Sequence, residues 1–219
     1  MIQDILAYTS QMFPLGAVAL IVFLLLQPIR RRRLNEMNLI SSGWRESTLA
    51  LFTIFCAGLA ALTLFPANFW SGFNYFLFRP NVWGVLIHEW DPLSYYPTWE
   101  KTIAGVANLS DMLTPFQEIG RALRARSYWL LFMLVGNIIM FMPMGFFPAL
   151  LWRNWKWWNA LLTGFGCSAT IELIQFFIGR STDIDDIILN TAGAIAGFWI
   201  FCLIRAVFPN VIKLFQCHN

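Results

Sequence analysis

The sequence has few charged residues for its length. Asp, Glu, Lys and Arg make up 12% of its 219 residues, whereas a soluble domain carries about 25%. A chain with so little charge does not have enough polar side chains to cover a water-exposed globule. Hydrophobic residues make up 58% of the sequence and aromatic residues 17%. The composition therefore indicates an integral membrane protein and excludes intrinsic disorder, collagen and small disulfide-bonded scaffolds.

The sequence also lacks the short motifs of common soluble enzymes and binding modules. It has no phosphate-binding Walker loop, no dinucleotide-binding fingerprint, no nucleophile elbow and no nucleic-acid motif. His88 lies close to Glu89 and Asp91, but the two histidines recur at no metal-binding spacing. The four cysteines form no Cys-x-x-Cys pair and are expected to be small apolar residues. We therefore expect no nucleic-acid partner.

Five long runs with no charge, or with one charge, predict membrane-spanning helices. A helix of about 20 apolar residues crosses a hydrocarbon core of about 30 Å, and it satisfies each backbone polar group within its own segment. The runs cover residues 5–29, 49–65, 127–152, 157–179 and 187–207. The predicted fold class is therefore all-α, with residues 1–219 forming one polytopic membrane domain, a bundle of about five transmembrane helices.

Basic residues predict the orientation of this bundle. Four arginines occupy residues 30–33, and Arg153 and Lys156 separate the third run from the fourth. Because Lys and Arg are enriched on the cytoplasmic side of a membrane, we expect both segments inside. The turn after residue 179 is then outside. A re-entrant segment within residues 68–126 would instead reverse the last three helices.

The segment 67–126, between the second and third runs, is predicted to lie on the outer surface of the membrane. It is rich in aromatic residues, proline and glycine. Near its end, Thr114 is a candidate N-cap, with proline at the next position and Gln117 three residues after the cap. This spacing is typical of a capping box at the start of a helix.

The predicted helix is amphipathic. Phe116, Ile119 and Leu123 fall on one face, whereas Arg121 and Arg124 fall on another, as in helices that lie in the membrane interface. Arg121 and Arg124 are therefore candidates for binding lipid phosphates. The alternative is a solvated charged face with no specific partner.

Glu172 is the charged residue inside the fourth run. An ionised carboxylate in a bilayer costs several kcal/mol or more, so we expect Glu172 to be protonated, paired or open to a water-filled cavity. Ser168 and Gln175 share its helical face, and this polar stripe is expected to face the bundle interior. The stripe either holds the helices together by hydrogen bonds or belongs to a functional site.

An acidic cluster precedes the fifth run. Asp183, Asp185 and Asp186 follow Arg180 closely in the sequence. In one interpretation the aspartates cap the helix and favour the positive end of its dipole. In the other, Asp183, Asp185 and Glu172 hold a divalent cation such as magnesium, for which carboxylate oxygens are suitable ligands. Arg180 then binds a phosphate or carboxylate through its planar guanidinium.

Two asparagines complete the polar candidates. Asn137 lies about 15 Å below the outer end of the third run, from the helical rise, and Asn190 shares a helical face with the acidic cluster. We expect both, with Gln175, to contribute to ligand binding. The alternative for Asn137 is a hydrogen bond across helices. Gly193 and Gly197 are four residues apart, which is typical of close helix packing.

In order and spacing, these positions resemble the motifs of the VanZ-like family of integral membrane proteins. The likeness consists of Asn137 with Phe141-x-Pro143-x-Gly145, of Ile171-Glu172-x-x-Gln175, and of Asp183-x-Asp185-Asp186-x-x-x-Asn190-x-x-Gly193. It covers about residues 45–201. The resemblance implies a multi-pass protein of the bacterial cytoplasmic membrane that is associated with teicoplanin resistance, an antibiotic-resistance phenotype of the cell envelope. It implies no particular reaction.

Two functions of different kinds remain open. In the first, the protein binds an anionic envelope lipid, a lipid-linked cell-wall precursor or a glycopeptide-related molecule. Three arginines would contact its head group, and carboxylates would act through a bound cation; these residues are Arg121, Arg124, Arg180, Asp183, Asp185 and Glu172.

In the second, the protein is a membrane enzyme that acts on a lipid-linked phosphate or acyl group. Glu172 would serve as acid or base, and the aspartates would hold a metal ion. A third interpretation gives the cluster a structural or accessory role. We favour binding because the sequence offers no activated nucleophile.

Overall fold

A computed structural model describes residues 12–65, 114–126, 128–178 and 182–217. Within these ranges the chain is helical, and five helices are long and apolar enough to cross a membrane. These are α1 (Met12–Glu36), α2 (Gly43–Leu64), α4 (Tyr128–Leu151), α5 (Trp157–Phe177) and α6 (Ile184–Val207). Two shorter helices are α3 (Gln117–Ala125), before α4, and α7 (Pro209–Lys213), after α6. The predicted all-α bundle of five membrane spans is confirmed.

The observed spans follow the predicted ones closely, except at the end of the first and at the start of the second, where α2 begins at Gly43 and not at residue 49. The sequence predicts an end at residue 29, before the arginines, but α1 continues to Glu36. Arginine and glutamate are good helix formers, so the helix does not have to end where its apolar surface ends. Residues 1–11, where the first predicted span begins, lie outside the described residues.

Hydrogen bonds show which helix ends lie together. Gln175 Nε2, near the end of α5, donates to the carbonyl oxygen of Thr63 at the end of α2, at 2.8 Å. Asn137 Nδ2, in the first half of α4, donates to Asp186 Oδ1 at the start of α6, at 2.6 Å. A third hydrogen bond joins the turn before α6 to α5. The end of α2, the start of α4, the end of α5 and the start of α6 therefore share one end of the bundle, here called the site end.

The chain between α2 and α4 therefore starts and finishes at the site end. A re-entrant segment that reversed the last three helices would have placed the start of α4 at the opposite end, so this alternative is wrong. Most of the predicted outer segment 67–126 lies outside the described residues, and its last part contains α3. The inside–outside assignment of the two ends stays a prediction.

At the opposite end, here called the basic end, a buried carboxylate joins α1 to α2. Glu46 is 5% exposed. It accepts hydrogen bonds from Arg30 and Ser41, and from Gln27 Nε2 at 3.3 Å. The segment after α7 packs here too, because the carbonyl of Leu214 accepts a hydrogen bond from a serine just before α2. None of the sequence patterns indicated this connection through Glu46.

Glycines bring α4 and α6 into close contact. A Cβ atom on Gly197 would lie 1.9 Å from the Met142 carbonyl oxygen, and one on Gly145 would lie 1.8 Å from the Ala194 carbonyl oxygen. At Gly193 the corresponding distance to the α4 backbone is 2.2 Å. These distances leave no room for a side chain, so the two backbones touch directly. The close packing predicted for Gly193 and Gly197 is confirmed.

Candidate functional site

Asp185, the second residue of α6, binds the start of α3. Its side chain is fully buried, at 0% exposure. The carboxylate accepts backbone N–H groups from Phe116 at 2.5 Å, Glu118 at 2.9 Å and Ile119 at 3.2 Å. A helix leaves its first N–H groups without partners inside the helix, and its positive end attracts a negative charge. Asp185 therefore caps α3 from another helix.

This contact replaces the capping box predicted around Thr114 and Gln117, which is not formed. Gln117 is the first residue of α3, and Phe116 is its N-cap residue, with a left-handed φ of 66° and no side-chain cap. The carboxylate of Asp185 accepts the N–H groups of Phe116, Glu118 and Ile119, whereas the capping box would have joined Thr114 to the N–H of Gln117. The predicted helix is present, but it begins later than the sequence pattern indicates.

Glu172 holds the turn before α6 against α5. Its side chain is 4% exposed, and its Oε2 accepts the backbone N–H of Asp183 at 3.0 Å. The hydroxyl of Thr182 donates to the backbone carbonyl of Glu172 at 3.5 Å. Asp183 in turn caps α6, because its carboxylate accepts the N–H of Asp185 at 2.9 Å. The capping role considered for Asp183 is confirmed.

The rest of the polar stripe on α5 also bonds to neighbouring helices. Ser168 is fully buried and its hydroxyl accepts a hydrogen bond from Asn190 Nδ2 at 2.9 Å. Gln175 is half-buried and bonds to the end of α2. The prediction that this face of α5 turns toward the bundle interior is confirmed. Its hydrogen bonds fit the interpretation that the stripe holds the helices together.

A cavity of about 540 Å³ lies at the site end, between α3, α4 and the start of α6. We call it the site cavity. Its lining includes charged and amide groups, among them Glu118, Arg121, Asn137, Asp183 and Asp186. It also includes the apolar side chains of Ala122, Leu130, Met133 and Leu134. Ligand pockets commonly combine an apolar wall with a few polar groups in this way.

Carboxylates dominate the charge of the site cavity. Among its described lining residues, Glu118, Asp183 and Asp186 are acidic, and Arg121, which is ion-paired with Glu118, is the basic one. Burial raises the pKa of the Asp183 carboxyl above its usual value; the N–H of Asp185 opposes this shift, and the Asp185 charge adds to it. The site cavity therefore presents one guanidinium within a mainly negative environment.

The predicted site residues fall into separate groups in the structure. Those that line the site cavity are Arg121, Asn137, Asp183 and Asp186. Those that instead bond within or between helices are Glu172, Gln175, Asp185 and Asn190. Arg124 is exposed on α3 and does not line the site cavity. Arg180 and His88 lie outside the described residues.

The predicted metal ligands do not meet at a common point. The described residues contain no group of three His, Cys, Asp or Glu side chains that is placed to hold a metal ion. Both oxygens of Asp185 accept N–H groups of α3, and Glu172 accepts the Asp183 N–H. Of the predicted ligands, Asp183 reaches the site cavity, where Asp186 joins it. A magnesium ion there stays a prediction.

Sequence reasoning did not assign the apolar lining residues to the site, nor three of the polar ones, Gln117, Glu118 and Thr182. Glu118 is three residues before Arg121 and forms an ion pair with it, so their helical spacing was the available signal. For Thr182 there was no such signal, because its position depends on the fold of the turn between α5 and α6.

Comparison with known proteins agrees with the motifs and the fold. A VanZ/LLP1 family model matches residues 52–205, which include all the residues that line the site cavity. No curated protein and no solved structure matches the chain. The matched range contains the motifs at Asn137, Glu172 and Asp183 on which the resemblance rests. With its five candidate membrane spans, the chain belongs to the VanZ/LLP1 family and is a multi-pass membrane protein.

Proposed function

We propose that the protein binds the head group of an amphiphilic cell-envelope molecule in the site cavity. This class includes anionic envelope lipids and lipid-linked or glycopeptide-related cell-wall precursors. The observation that supports the proposal is the mixed lining of the site cavity, which combines the charged Arg121, Asp183 and Asp186 with the apolar Leu130 and Leu134. A molecule with a charged head group and a hydrocarbon part matches both kinds of lining residue, whereas a small polar metabolite matches only the polar ones.

Each charged residue has a distinct role in this proposal. Arg121 is suited to a phosphate because a guanidinium donates parallel N–H groups to two oxygens. Asp183 and Asp186 repel an anion, so a phosphate head group also requires an amine of its own or a bound Mg²⁺. Asn137 donates to Asp186 at 2.6 Å and fixes the orientation of that carboxylate.

The catalytic alternative assigns acid–base chemistry to Glu172. A general acid or base has to come within hydrogen-bonding distance of the reacting group. Glu172 is buried against the backbone N–H of Asp183 and is not among the residues that line the site cavity. We therefore favour a positioning role for Glu172, in which it holds Asp183 at the cavity wall.

Arg121 and Arg124 provide a matched test of binding. Both are exposed arginines of α3, but of the two it is Arg121 that lines the site cavity. Because a ligand stabilises the folded state that it binds, we would measure thermal unfolding of the purified protein with fractions of an envelope lipid extract, in Mg²⁺ and in EDTA. We expect one fraction to stabilise the wild type. The lipid concentration that gives half of this stabilisation should rise about tenfold in Arg121→Gln, which corresponds to a loss of about 1.4 kcal/mol in binding free energy. In Arg124→Gln it should stay within about twofold of the wild-type value.

Two outcomes would contradict the proposal. One is the absence of any stabilising fraction, and the other is an equal loss in both arginine variants, which would indicate nonspecific attraction to a charged surface. Glu172→Gln tests the catalytic alternative, because its amide oxygen can accept the same N–H group. Loss of lipid turnover with retained binding in this variant would favour an enzyme.

A further inference from the structure

An apolar hollow extends from Leu64, at the site end, toward the middle of the bundle. It has a volume of about 360 Å³ and lies between α2, α4 and α5. Its lining is almost entirely apolar, with Cys56, Leu59, Ala60, Met144, Ile171 and Ile174 among its residues. All three helices are candidate membrane spans, so the hollow lies at the level of the membrane hydrocarbon. We call it the apolar groove.

The apolar groove and the site cavity follow the same face of α4. Leu130, Leu134 and Asn137 line the site cavity, and Met144 lines the apolar groove. With Phe141, these residues are spaced by four, three, four and three positions, so they lie on one side of the helix. Met144 is about 10 Å below Asn137, from the helical rise. Phe141, at 1% exposure, packs between the two levels.

Gly166 leaves the apolar groove open toward the lipid. It is exposed, and a Cβ atom added there would meet nothing within 4 Å. By contrast, a Cβ atom on Gly164 would lie 2.6 Å from the Cβ of Ala194. Leu162 and Leu173 project on the side of Gly166 and are 63% and 58% exposed. Gly164 therefore serves helix packing, whereas Gly166 leaves a gap among lipid-facing side chains.

We propose that the apolar groove holds a hydrocarbon chain of the lipid whose head group occupies the site cavity. This inference rests on the proposed function. The occupant is a lipid chain because the medium around an exposed opening at this depth is hydrocarbon, and because the apolar groove shares a face of α4 with the site cavity. On α5 it extends from Gly166 to Ile174, about 12 Å along the helix, which suits a segment of one chain. The ligand class is therefore a lipid that is held at both its head group and its chain.

Gly166→Leu tests this inference because it places a side chain at the opening of the apolar groove without a clash. Gly136→Leu is the matched control, since Gly136 also has nothing within 4 Å of its added Cβ and lines neither the apolar groove nor the site cavity. Each protein is reconstituted in phosphatidylcholine nanodiscs with a trace of probe. One probe is phosphatidylglycerol with a diazirine in one acyl chain, and the other is a polyprenyl phosphate with a diazirine in its chain. Illumination followed by mass spectrometry identifies the labelled residues.

In the wild type we expect labelling to be concentrated on Cys56, Met144 and Ile171. The probe that labels these residues more efficiently shows whether the bound chain is an acyl chain or a polyprenyl chain. This labelling should fall about tenfold in Gly166→Leu, because a side chain at the opening hinders entry of the lipid chain, and remain unchanged in Gly136→Leu. Labelling spread evenly over lipid-facing residues, or unchanged in Gly166→Leu, would overturn the inference. If Arg121-dependent stabilisation by lipid persists in that case, only the inference about the chain fails. Loss of the Arg121 dependence in the wild-type background would contradict the proposed function itself.

Discussion

Asp185 and Glu172 show how buried carboxylates are accommodated in this bundle. A buried ionised group is costly unless it is paired or hydrogen-bonded. Asp185 accepts three backbone N–H groups from α3, and Glu172 accepts one from Asp183. Each carboxylate therefore fixes a neighbouring segment of backbone, while the nearby Asp186 reaches the site cavity. Adjacent acidic residues thus differ in role according to what their oxygens bind.

Substitution of Asp185 should release α3. Asp185→Ala leaves three N–H groups without their acceptor, so we expect the free energy of unfolding to fall by roughly 2–4 kcal/mol. The amides of residues 116–119 should exchange hydrogen faster, as measured by mass spectrometry. Asp186→Ala is the control, because Asp186 bonds to the Asn137 side chain and not to α3. Unchanged exchange in α3 of Asp185→Ala would show that the cap does not hold this helix.

At the scale of elements, the contact of α4 with α6 determines where the site cavity lies. Gly193 and Gly197 place α6 directly against α4, and the same helices carry Asp186 and Asn137 near the site end. A change in the separation of the two helices would therefore separate this hydrogen-bonded pair. The packing of the glycines and the geometry of the site cavity are coupled through the helix backbones.

Gly197→Ala should destabilise the protein even though alanine favours helix formation. Its Cβ would lie 1.9 Å from the Met142 carbonyl oxygen, and overpacking of this kind costs about 1–3 kcal/mol. Gly136→Ala, which meets nothing within 4 Å, should be neutral or more stable by about 0.5–1 kcal/mol. Thermal unfolding in one detergent measures both variants. Equal stability of the two would show that α4 and α6 tolerate separation at Gly197.

Local sequence patterns predicted the elements better than the contacts between them. Hydropathy located the five spans, and the spacing of Ser168 and Glu172 predicted a buried face, because both signals arise within one helix. The cap of α3 was missed because Asp185 and Glu118 are 67 residues apart and no periodic pattern relates them. Glu46 was missed for the same reason, since its partner Arg30 lies on the preceding helix. The site cavity depends on such contacts, so only part of its lining was predicted.

At the scale of the whole molecule, the arrangement of helix ends makes a prediction about topology. Reporter fusions at Arg126 and Asp183 should report the same side, because both positions lie at the site end. Fusions at Lys156 and Leu214 should report the opposite side. Since the four arginines at residues 30–33 favour the cytoplasm, we expect Lys156 and Leu214 inside. If the reporters at Arg126 and Asp183 lay on opposite sides of the membrane, the fold would be contradicted. A complete reversal would leave the fold intact but exclude a ligand in the outer leaflet.

The cap that Asp185 provides to α3 also has a consequence for biosynthesis. A chain is made from its N-terminus, so the ribosome produces α3 well before the acidic residue that α3 requires. Two further spans, α4 and α5, have to enter the membrane before Asp185 emerges. During that interval the first N–H groups of α3 have to bind water or lipid. The site cavity therefore forms only with the insertion of α6, and a nascent chain halted earlier would lack its Asp183 and Asp186 wall.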